Sequence, residues 1–214
     1  MTISDFLLNK YFHNNTDITV VYNGDGSDEL GGYIYLKNAP NINEFGKEIN
    51  KLIRNINYFD VLRSDRCISS KWGLEARTPF LDKDFVSMYM SINNKLKTHE
   101  RMEKYLLRQA FNDTDLLPKD VLWRKKEAFS DGCSSVERSW HKIIQEFVDK
   151  EISDDDFELE KIKYTHNPPQ IKESLYYRKI FNKFYPGRDN VIPYYWLPNW
   201  SDEKDPSARE LTNY

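Results

Sequence analysis

The sequence contains little cysteine and no long apolar run. Cys67 and Cys133 are the two cysteines among 214 residues, too few for a disulfide framework and typical of a reducing compartment. We find no secretory signal pattern and no apolar run long enough to span a bilayer. We therefore expect a soluble, cytoplasmic protein that is not embedded in a membrane.

The sequence also lacks an excess of positive charge. Its 31 lysines and arginines are outnumbered by 34 acidic residues, which gives a formal net charge of −3. Such a chain has no overall attraction for nucleic acid or for an anionic membrane, so neither is expected as a partner. An anionic substrate would need a local basic cluster. The four histidines show no metal-ligand spacing, and we interpret them as structural or exposed.

What the sequence does contain is typical of a packed fold. Aromatic residues make up 14% of the chain, which argues against disorder. The pattern after the first strand is nearly all helical, with predicted helices at residues 3–14, 43–70, 82–90, 102–111, 118–123, 134–150 and 171–184 and a further helix after Asp154-Asp155-Asp156. We expect Asp82, and either Ser134 or Ser135, to cap two of these helices, Gly73 to end the helix at 43–70, and residues 74–82 to be irregular. The chain is rich in proline and tryptophan from residue 186 onward. We therefore predict a main domain at 1–185 and an extended tail at 186–214.

One stretch organises the chain: an apolar run at residues 18–22 that ends at Asn23-Gly24-Asp25-Gly26. This pattern predicts a buried parallel strand, a tight turn and a helix, which is the α/β class. Ser27 could cap the helix, and Asp28 suits the positive end of the helix dipole. Ligands of open α/β sheets bind at the carboxyl ends of strands, where this turn is expected to lie.

A single parallel strand needs neighbours on both sides for its backbone groups. The helix at residues 3–14 precedes this strand, and the sequence before that helix contains no earlier strand. We therefore expect the chain to start inside a domain.

Two features have a plain structural interpretation beside the functional one. The turn could be a capped helix start and nothing more, or Asp25 could act on a substrate while Asp28 holds a metal ion that bridges phosphates. The basic run Arg124-Lys125-Lys126 could be a solvated loop. Alternatively, the turn that follows it could aim a lysine at a phosphate.

Several ordered motifs resemble one family, the glutamine-hydrolysing asparagine synthetases. The resemblance is to the C-terminal part of their synthetase (ATP-pyrophosphatase) domain. It implies a partial, adenine-nucleotide α-hydrolase-like (Rossmann-like) parallel sheet edge with a mostly helical C-terminal layer. The motifs are NGDGSDE at 23–29, YIY at 33–35 with AP at 39–40, FDVLR at 59–63, GLEARTPFLD at 73–82, EK at 103–104, WRKKEAFSDG at 123–132 and DPSAR at 205–209.

The resemblance implies a ligase that uses ATP and Mg²⁺. In that family, ATP adenylates the side-chain carboxylate of aspartate, and ammonia then converts β-aspartyl-AMP to asparagine with release of AMP and pyrophosphate. By position, Asn23 and Gly24 would contact ATP, and Asp25 would serve the acyl-adenylate and contact the nucleotide. The remaining assignments by resemblance are Asp28 to Mg²⁺-pyrophosphate, Lys126 to the phosphates, and Asp60 and Arg77 to polar positions near the site.

The resemblance also implies what this sequence does not contain. The family's glutaminase domain and its Ser-Gly-Gly-x-Asp-Ser pyrophosphate loop are absent, so we expect a separate chain that carries both. Homo-oligomer formation stays open. Two other hypotheses also stay open: a non-catalytic remnant or interaction subunit of a full-length synthetase, and a related acyl-adenylating amide ligase.

Overall fold

The computed structural model describes residues 2–100, 102–126, 129–135 and 137–202. The chain forms two compact units, residues 1–128 and residues 129–214, and each is described by itself. Within the described residues the protein is mostly helical with a small parallel sheet, which confirms the α/β class. The predicted boundary between a main domain at 1–185 and a tail at 186–214 stays a prediction.

The first unit contains two short strands and a series of helices. In chain order they are α1 (Thr2–Asn15), β1 (Val20–Tyr22), α2 (Ser27–Gly31), α3 (Ile42–Ile56), α4 (Leu62–Trp72), β2 (Glu75–Arg77), α5 (Lys83–Ser91), α6 (Tyr105–Ala110) and α7 (Lys119–Leu122). A π-helical turn, Asn57–Val61, joins α3 to α4, and 3₁₀ turns occupy Ile34–Asn38, Pro79–Leu81 and Asn94–Leu96.

The strands β1 and β2 run parallel, with Val20 opposite Glu75 and Tyr22 opposite Arg77. The predicted strand is confirmed in position, but the prediction that it is buried was wrong, because Val20 and Tyr22 are exposed. The segment of β2 was expected to be irregular. Its three residues carry two charged side chains, Glu75 and Arg77, so no apolar run marked it as a strand.

The long predicted helix is confirmed as α3, the π-helical turn and α4 in continuous succession. Asn41 caps α3 by accepting hydrogen bonds from the amides of Asn43 and Glu44. The apolar stripe of α3 is buried, and Gly73 ends α4 in the left-handed conformation at φ 67°.

The helices α1 and α4 hold the sheet from one side. Cys67, Ile68 and Leu74 form a buried cluster against which Val21 of β1 packs. Phe6 of α1 joins this cluster and lies beside Trp72, with 4.9 Å between the ring centroids. The cluster fixes the strand whose end carries the candidate site.

Two of the predicted caps were wrong. Gly26, at φ 90°, stands at the N-cap of α2 with no side-chain cap bond, and Ser27 is the first helical residue. The left-handed backbone at the N-cap position favours glycine. The Ser27 hydroxyl therefore lies one residue beyond the N-cap position, inside the helix. The helix Trp140–Glu151 is capped by Ser139 and not by Ser134 or Ser135. The predicted Asp82 cap of α5 is confirmed.

All regular secondary structure in the described residues of the second unit is helical. Its helices are α8 (Phe129–Gly132), α9 (Trp140–Glu151), α10 (Asp154–Lys161) and α11 (Lys172–Phe184), followed by a 3₁₀ turn at Asp189–Val191. Arg178 is buried and donates to Asp189 at 2.9 Å and to the carbonyl of His166 at 3.0 Å. Residues 203–214 of the predicted tail lie outside the described residues.

None of the described helices has the length and apolar character that crossing a membrane requires.

Candidate functional site

The turn after β1 is held by its own side chains. The amide of Asn23 donates to the carbonyl of Arg77 at 2.7 Å, which extends the sheet pairing to the start of the turn. The Asn23 side chain accepts from the Asp25 amide at 2.8 Å and donates to the Asp25 carboxylate at 3.0 Å. This local ring of hydrogen bonds fixes the direction of the Asp25 side chain. A Cβ added to Gly24 would meet nothing within 4 Å, so the turn is open there.

The Asp25 carboxylate also has two partners on α4. Ser64 donates its hydroxyl to Asp25 Oδ2, and a guanidinium nitrogen of Arg63 lies 3.3 Å from Asp25 Oδ1. Both partners lie nearly forty residues further along the chain, so tertiary packing of α4 brings them to the turn. Asp25 is therefore an oriented carboxylate with a cation at its side.

Arg63 connects this turn to two further acids. It donates to Asp60 of the π-helical turn at 2.8 Å, and its Nε lies 4.0 Å from the carboxylate of Asp5 on α1. Burial would lower the pKa of Arg63, but Asp60, Asp25 and Asp5 raise it above its ordinary value. One guanidinium therefore balances three carboxylates, and the cluster has an excess of negative charge.

Glu29 of α2 is buried beside this cluster. Burial and the nearby Asp60 carboxylate raise the pKa of Glu29 to about 8, and the two acids share a side-chain hydrogen bond. Tyr33 donates its hydroxyl to Glu29 at 2.6 Å. Such a pKa favours the protonated form of Glu29 at neutral pH, as expected when two carboxyl groups share one site.

A second, oppositely charged cluster surrounds Asp28. One carboxylate oxygen lies 2.8 Å from Lys104 Nζ, and the other accepts a hydrogen bond from Lys126 Nζ at 3.0 Å. Burial would raise the pKa of Asp28, but the two lysines together lower it below its ordinary value. Two ammonium groups and one carboxylate leave a surplus of one positive charge, which suits a polyphosphate.

Lys104 reaches Asp28 through a close approach of two backbones. Its amide donates to the carbonyl of Gly31 at 2.8 Å, and it adopts a left-handed conformation at φ 57°. A Cβ on Gly31 would lie 2.7 Å from Lys104 Cγ and 3.2 Å from Lys104 Cα. The glycine therefore makes room for the lysine.

The structure brings most of the predicted site residues together. Asn23 and Asp25 share the turn, Lys126 meets Asp28, and Asp60 joins Asp25 through Arg63. Arg77 is the exception among the predicted residues: its backbone carbonyl holds Asn23, while its exposed side chain pairs with Glu75. The catalytic and binding roles of all these residues stay predictions.

Sequence reasoning did not single out Arg63, Ser64, Glu29, Tyr33 or Lys104. Arg63 and Lys104 lie inside motifs that carried the resemblance, so charged residues in those motifs were an available signal. Glu29 resembled an ordinary acid of a first helical turn, and only its burial against Asp60 distinguishes it.

The donor set around Asp28 limits how a metal ion could bind. Among the described residues no three His, Cys, Asp or Glu side chains lie close enough to hold a metal ion together. Asp28 alone offers a carboxylate. A Mg²⁺ ion bound through one carboxylate and substrate phosphates is compatible with this arrangement, since magnesium sites for nucleotides are commonly built that way.

Comparison with known proteins identifies close relatives. The family model described as asparagine synthase matches residues 43–204. The glutamine-hydrolysing asparagine synthetase of Gallus gallus is 49% identical over 217 residues, which cover 100% of this chain and 38% of that protein. The enzymes named alike from Rattus norvegicus and Homo sapiens are 46% and 45% identical over 215 residues, with the same coverage. The chain thus spans well under half the length of these relatives.

Proposed function

The chain belongs to the asparagine synthase family, and on that basis we propose that it forms the C-terminal portion of an ATP-dependent asparagine synthetase. The observation that carries the proposal is the meeting of Lys126 with Asp28, 98 positions apart in sequence, at the turn that also presents Asp25. A phosphate-binding charge pair and an oriented carboxylate thus share one strand end, which is where α/β sheets bind ligands.

The cluster of Asp28, Lys104 and Lys126 takes the phosphates of Mg·ATP. Its surplus positive charge neutralises the charge that grows on pyrophosphate as it leaves. Asp28 would hold Mg²⁺ together with the phosphates, and the bound ion would supply further charge neutralisation. The two lysines exchange part of their contact with Asp28 for phosphate oxygens when the nucleotide binds. Asn23 and Gly24 lie at the open side of the turn, where ATP approaches.

The acidic cluster around Arg63 takes the amino-acid substrate. The substrate's side-chain carboxylate attacks the α-phosphorus of ATP, which forms β-aspartyl-AMP and releases pyrophosphate. Ammonia then attacks the acyl carbon, the C–O bond to AMP breaks, and a proton leaves the new amide nitrogen. Asp25 lies at the reacting end of the site and stabilises the attacking ammonia, while the excess negative charge favours the substrate ammonium group.

The proposed fold of the unit is the adenine-nucleotide α-hydrolase-like arrangement, of which β1 and β2 form an edge. The chain spans 38% of its relatives, so we propose that the pyrophosphate loop and the glutaminase belong to the part of the enzyme outside this sequence, on the same or on a further polypeptide. Cytoplasmic location belongs to the same proposal. Neither of the two cysteines forms a disulfide, which supports a reducing compartment.

The test is ATP-, Mg²⁺- and aspartate-dependent formation of AMP and asparagine. The chain is assayed with ammonia, alone and together with the part of the Gallus gallus enzyme that lies outside the match. We expect Lys126→Ala to lower the rate by about 10² or more, because it removes a transition-state charge contact. Lys125→Ala removes a neighbouring exposed lysine and serves as the control. Equal rates for the two variants, or no activity in any combination, would contradict the proposal.

The alternative of a non-catalytic interaction subunit makes a different prediction. Such a subunit would bind a synthetase while Lys126→Ala left the synthetase activity unchanged. A ligase for another acid would release pyrophosphate with that acid and not with aspartate, so a screen of acids separates this alternative as well.

A further inference from the structure

The two oxygens of the Asp25 carboxylate have unequal surroundings. Oδ2 accepts hydrogen bonds from the Asn23 side-chain amide at 3.0 Å and from the Ser64 hydroxyl. In the described part of the chain, Oδ1 has one polar neighbour, a guanidinium nitrogen of Arg63 at 3.3 Å. A carboxylate oxygen carries two lone pairs, so Oδ2 is filled, whereas Oδ1 can accept a further hydrogen bond.

Arg63 holds Oδ1 only loosely. Charge-assisted bonds between an N–H group and a carboxylate are about 2.7–2.9 Å long. The guanidinium makes such a contact with Asp60 at 2.8 Å, and it also faces Asp5 at 4.0 Å. Its charge is thus divided among three carboxylates, and Oδ1 of Asp25 stays available to a substrate.

Ser64 is a buried residue of α4 whose hydroxyl points at the turn. It is 6% exposed and reaches Asp25 across 39 positions of sequence. Cys67 and Ile68 of the same helix belong to the buried cluster on which Val21 of β1 packs. The donor therefore lies on a helix that is packed against the strand that leads into the turn, and such elements hold a reacting group precisely.

We infer that Ser64 is a positioning residue for the amination step: it holds Asp25 by Oδ2 and leaves Oδ1 to meet the attacking nitrogen. The inference rests on the proposed function, because it names the atom that acts and the residue that orients it. Ammonia uses its lone pair to form the bond to the acyl carbon, and its nitrogen becomes positively charged. The C–O bond to AMP breaks, AMP keeps the electron pair, and Oδ1 takes one proton from the nitrogen.

The two half-reactions should depend on Ser64 to different degrees. In adenylation a carboxylate attacks phosphorus and no proton is transferred, so a precisely aimed acceptor is not needed. In amination the acceptor must lie within hydrogen-bonding reach of the nitrogen. Without the Ser64 hydroxyl the Asp25 carboxylate can rotate about its last torsion, which is broad for this side chain.

Ser64→Ala tests the inference by separating the half-reactions. Adenylation is followed as aspartate-dependent exchange of labelled pyrophosphate into ATP without ammonia, and amination as asparagine formation with ammonia. The chain is assayed together with the part of the Gallus gallus enzyme that lies outside the match. We expect Ser64→Ala to slow amination by about 10- to 100-fold and to change the exchange rate by less than about threefold.

Two further variants serve as controls. Ser70→Ala removes a hydroxyl of the same helix that donates to the carboxylate of Asp65 at the surface, at 2.6 Å, and should leave both rates unchanged. Ser64→Thr keeps the hydroxyl and should restore amination. Circular dichroism checks the fold of each variant. If the added methyl group unfolds Ser64→Thr, the ratio of amination to exchange in Ser64→Ala decides alone.

A double-mutant cycle tests the contact without any activity. Ser64→Ala, Asp25→Ala and the double variant are unfolded with urea as the full chain. Residues in contact are energetically coupled, so we expect the two changes to deviate from additivity by at least about fivefold in the unfolding equilibrium constant.

The outcomes separate this inference from the proposed function. Slow amination with retained exchange in Ser64→Ala, reversed in Ser64→Thr, supports the inference. Equal losses in both half-reactions would give Ser64 a structural role only. That result, unchanged amination in Ser64→Ala, or an unfolding cycle without coupling overturns the inference and leaves the proposed function standing. An inactive wild type rejects the proposed function, and the amination role of Ser64 falls with it.

Discussion

Lys97 is a fully buried cation that lies against an aromatic ring. Its ammonium nitrogen is 5.3 Å from the centroid of the Tyr89 ring. Among the described residues, neither Lys97 Nζ nor the Tyr89 hydroxyl has a hydrogen-bond partner. A buried donor without an acceptor costs stability, and a cation–π contact repays only part of that cost.

Replacement of Lys97 by methionine should therefore stabilise the fold. We expect Lys97→Met to raise the free energy of unfolding by about 1–3 kcal/mol near pH 7, measured by urea denaturation. Burial lowers the pKa of Lys97, so the unfolded chain binds more protons than the folded chain between that lowered pKa and 10.5. Wild-type stability should consequently recover as the pH rises, and the difference between variant and wild type should shrink toward pH 10.

Lys95→Met provides the control, because Lys95 is exposed on the 3₁₀ turn Asn94–Leu96, two positions before Lys97, which is the C-cap of that turn. It should change stability by no more than about 0.5 kcal/mol. A destabilised Lys97→Met variant would show that the buried ammonium has a stabilising role in the folded protein.

At the scale of elements, the sequence predicted those parts that local chemistry determines. The apolar stripe of α3, the Asp82 cap of α5 and the glycine that ends α4 all follow from side-chain spacing and backbone preference. The turn at Asn23–Gly26 was also predictable, because Gly24 and Gly26 interrupt the apolar run in the sequence. Gly26 takes the positive φ that glycine allows.

Elements that depend on distant packing were not predictable in this way. The segment of β2 is a strand only because it lies beside β1, and its own three residues show no strand pattern. The π-helical turn that carries Asp60 lies within a stretch of normal helical periodicity. The meeting of Lys104 and Lys126 at Asp28 joins three separate elements, and no local spacing encodes it.

The junction of α2 and α6 offers a test at this scale. Gly31→Ala places a Cβ against Lys104 Cα and Cγ, so we expect the two helices to separate and Lys104 to withdraw from Asp28. The free energy of unfolding should fall by about 1–3 kcal/mol, the range for overpacking a close contact, in a denaturation experiment. Affinity for inorganic pyrophosphate, measured by calorimetry, should fall as well.

Gly24→Ala is the stability control for this change, because an added methyl group there meets nothing within 4 Å. A Gly31→Ala variant as stable as Gly24→Ala would mean that the junction tolerates the extra volume.

At the scale of the whole molecule, charge is divided between two neighbouring clusters. The Asp28 cluster has a surplus of positive charge, and the Arg63 cluster has a surplus of carboxylates. Both extend from one turn after β1, and under the proposed function the first cluster takes the phosphates and the second the amino-acid substrate. A net charge of −3 for the chain as a whole conceals this division.

The acidic cluster should also make the stability of the protein depend on pH. Burial and Asp60 raise the pKa of Glu29 to about 8, whereas an unfolded glutamate titrates near 4.5. Between these values the folded chain holds a proton that the unfolded chain has lost, so stability should decrease as the pH rises from about 5 to 8.

The variant Glu29→Gln tests this pH dependence. Its side chain has no proton to lose, and its amide stays within hydrogen-bonding reach of Tyr33 and Asp60. The variant should therefore show a flatter dependence of unfolding free energy on pH across this window, measured by denaturation at several pH values. The control is Glu44→Gln, which removes an acid that pairs with Lys47 on the surface of α3. This variant should keep the wild-type dependence of unfolding free energy on pH. Parallel pH profiles for wild type and Glu29→Gln would mean that Glu29 is ionised in the folded protein. This result would contradict a proton shared between Glu29 and Asp60.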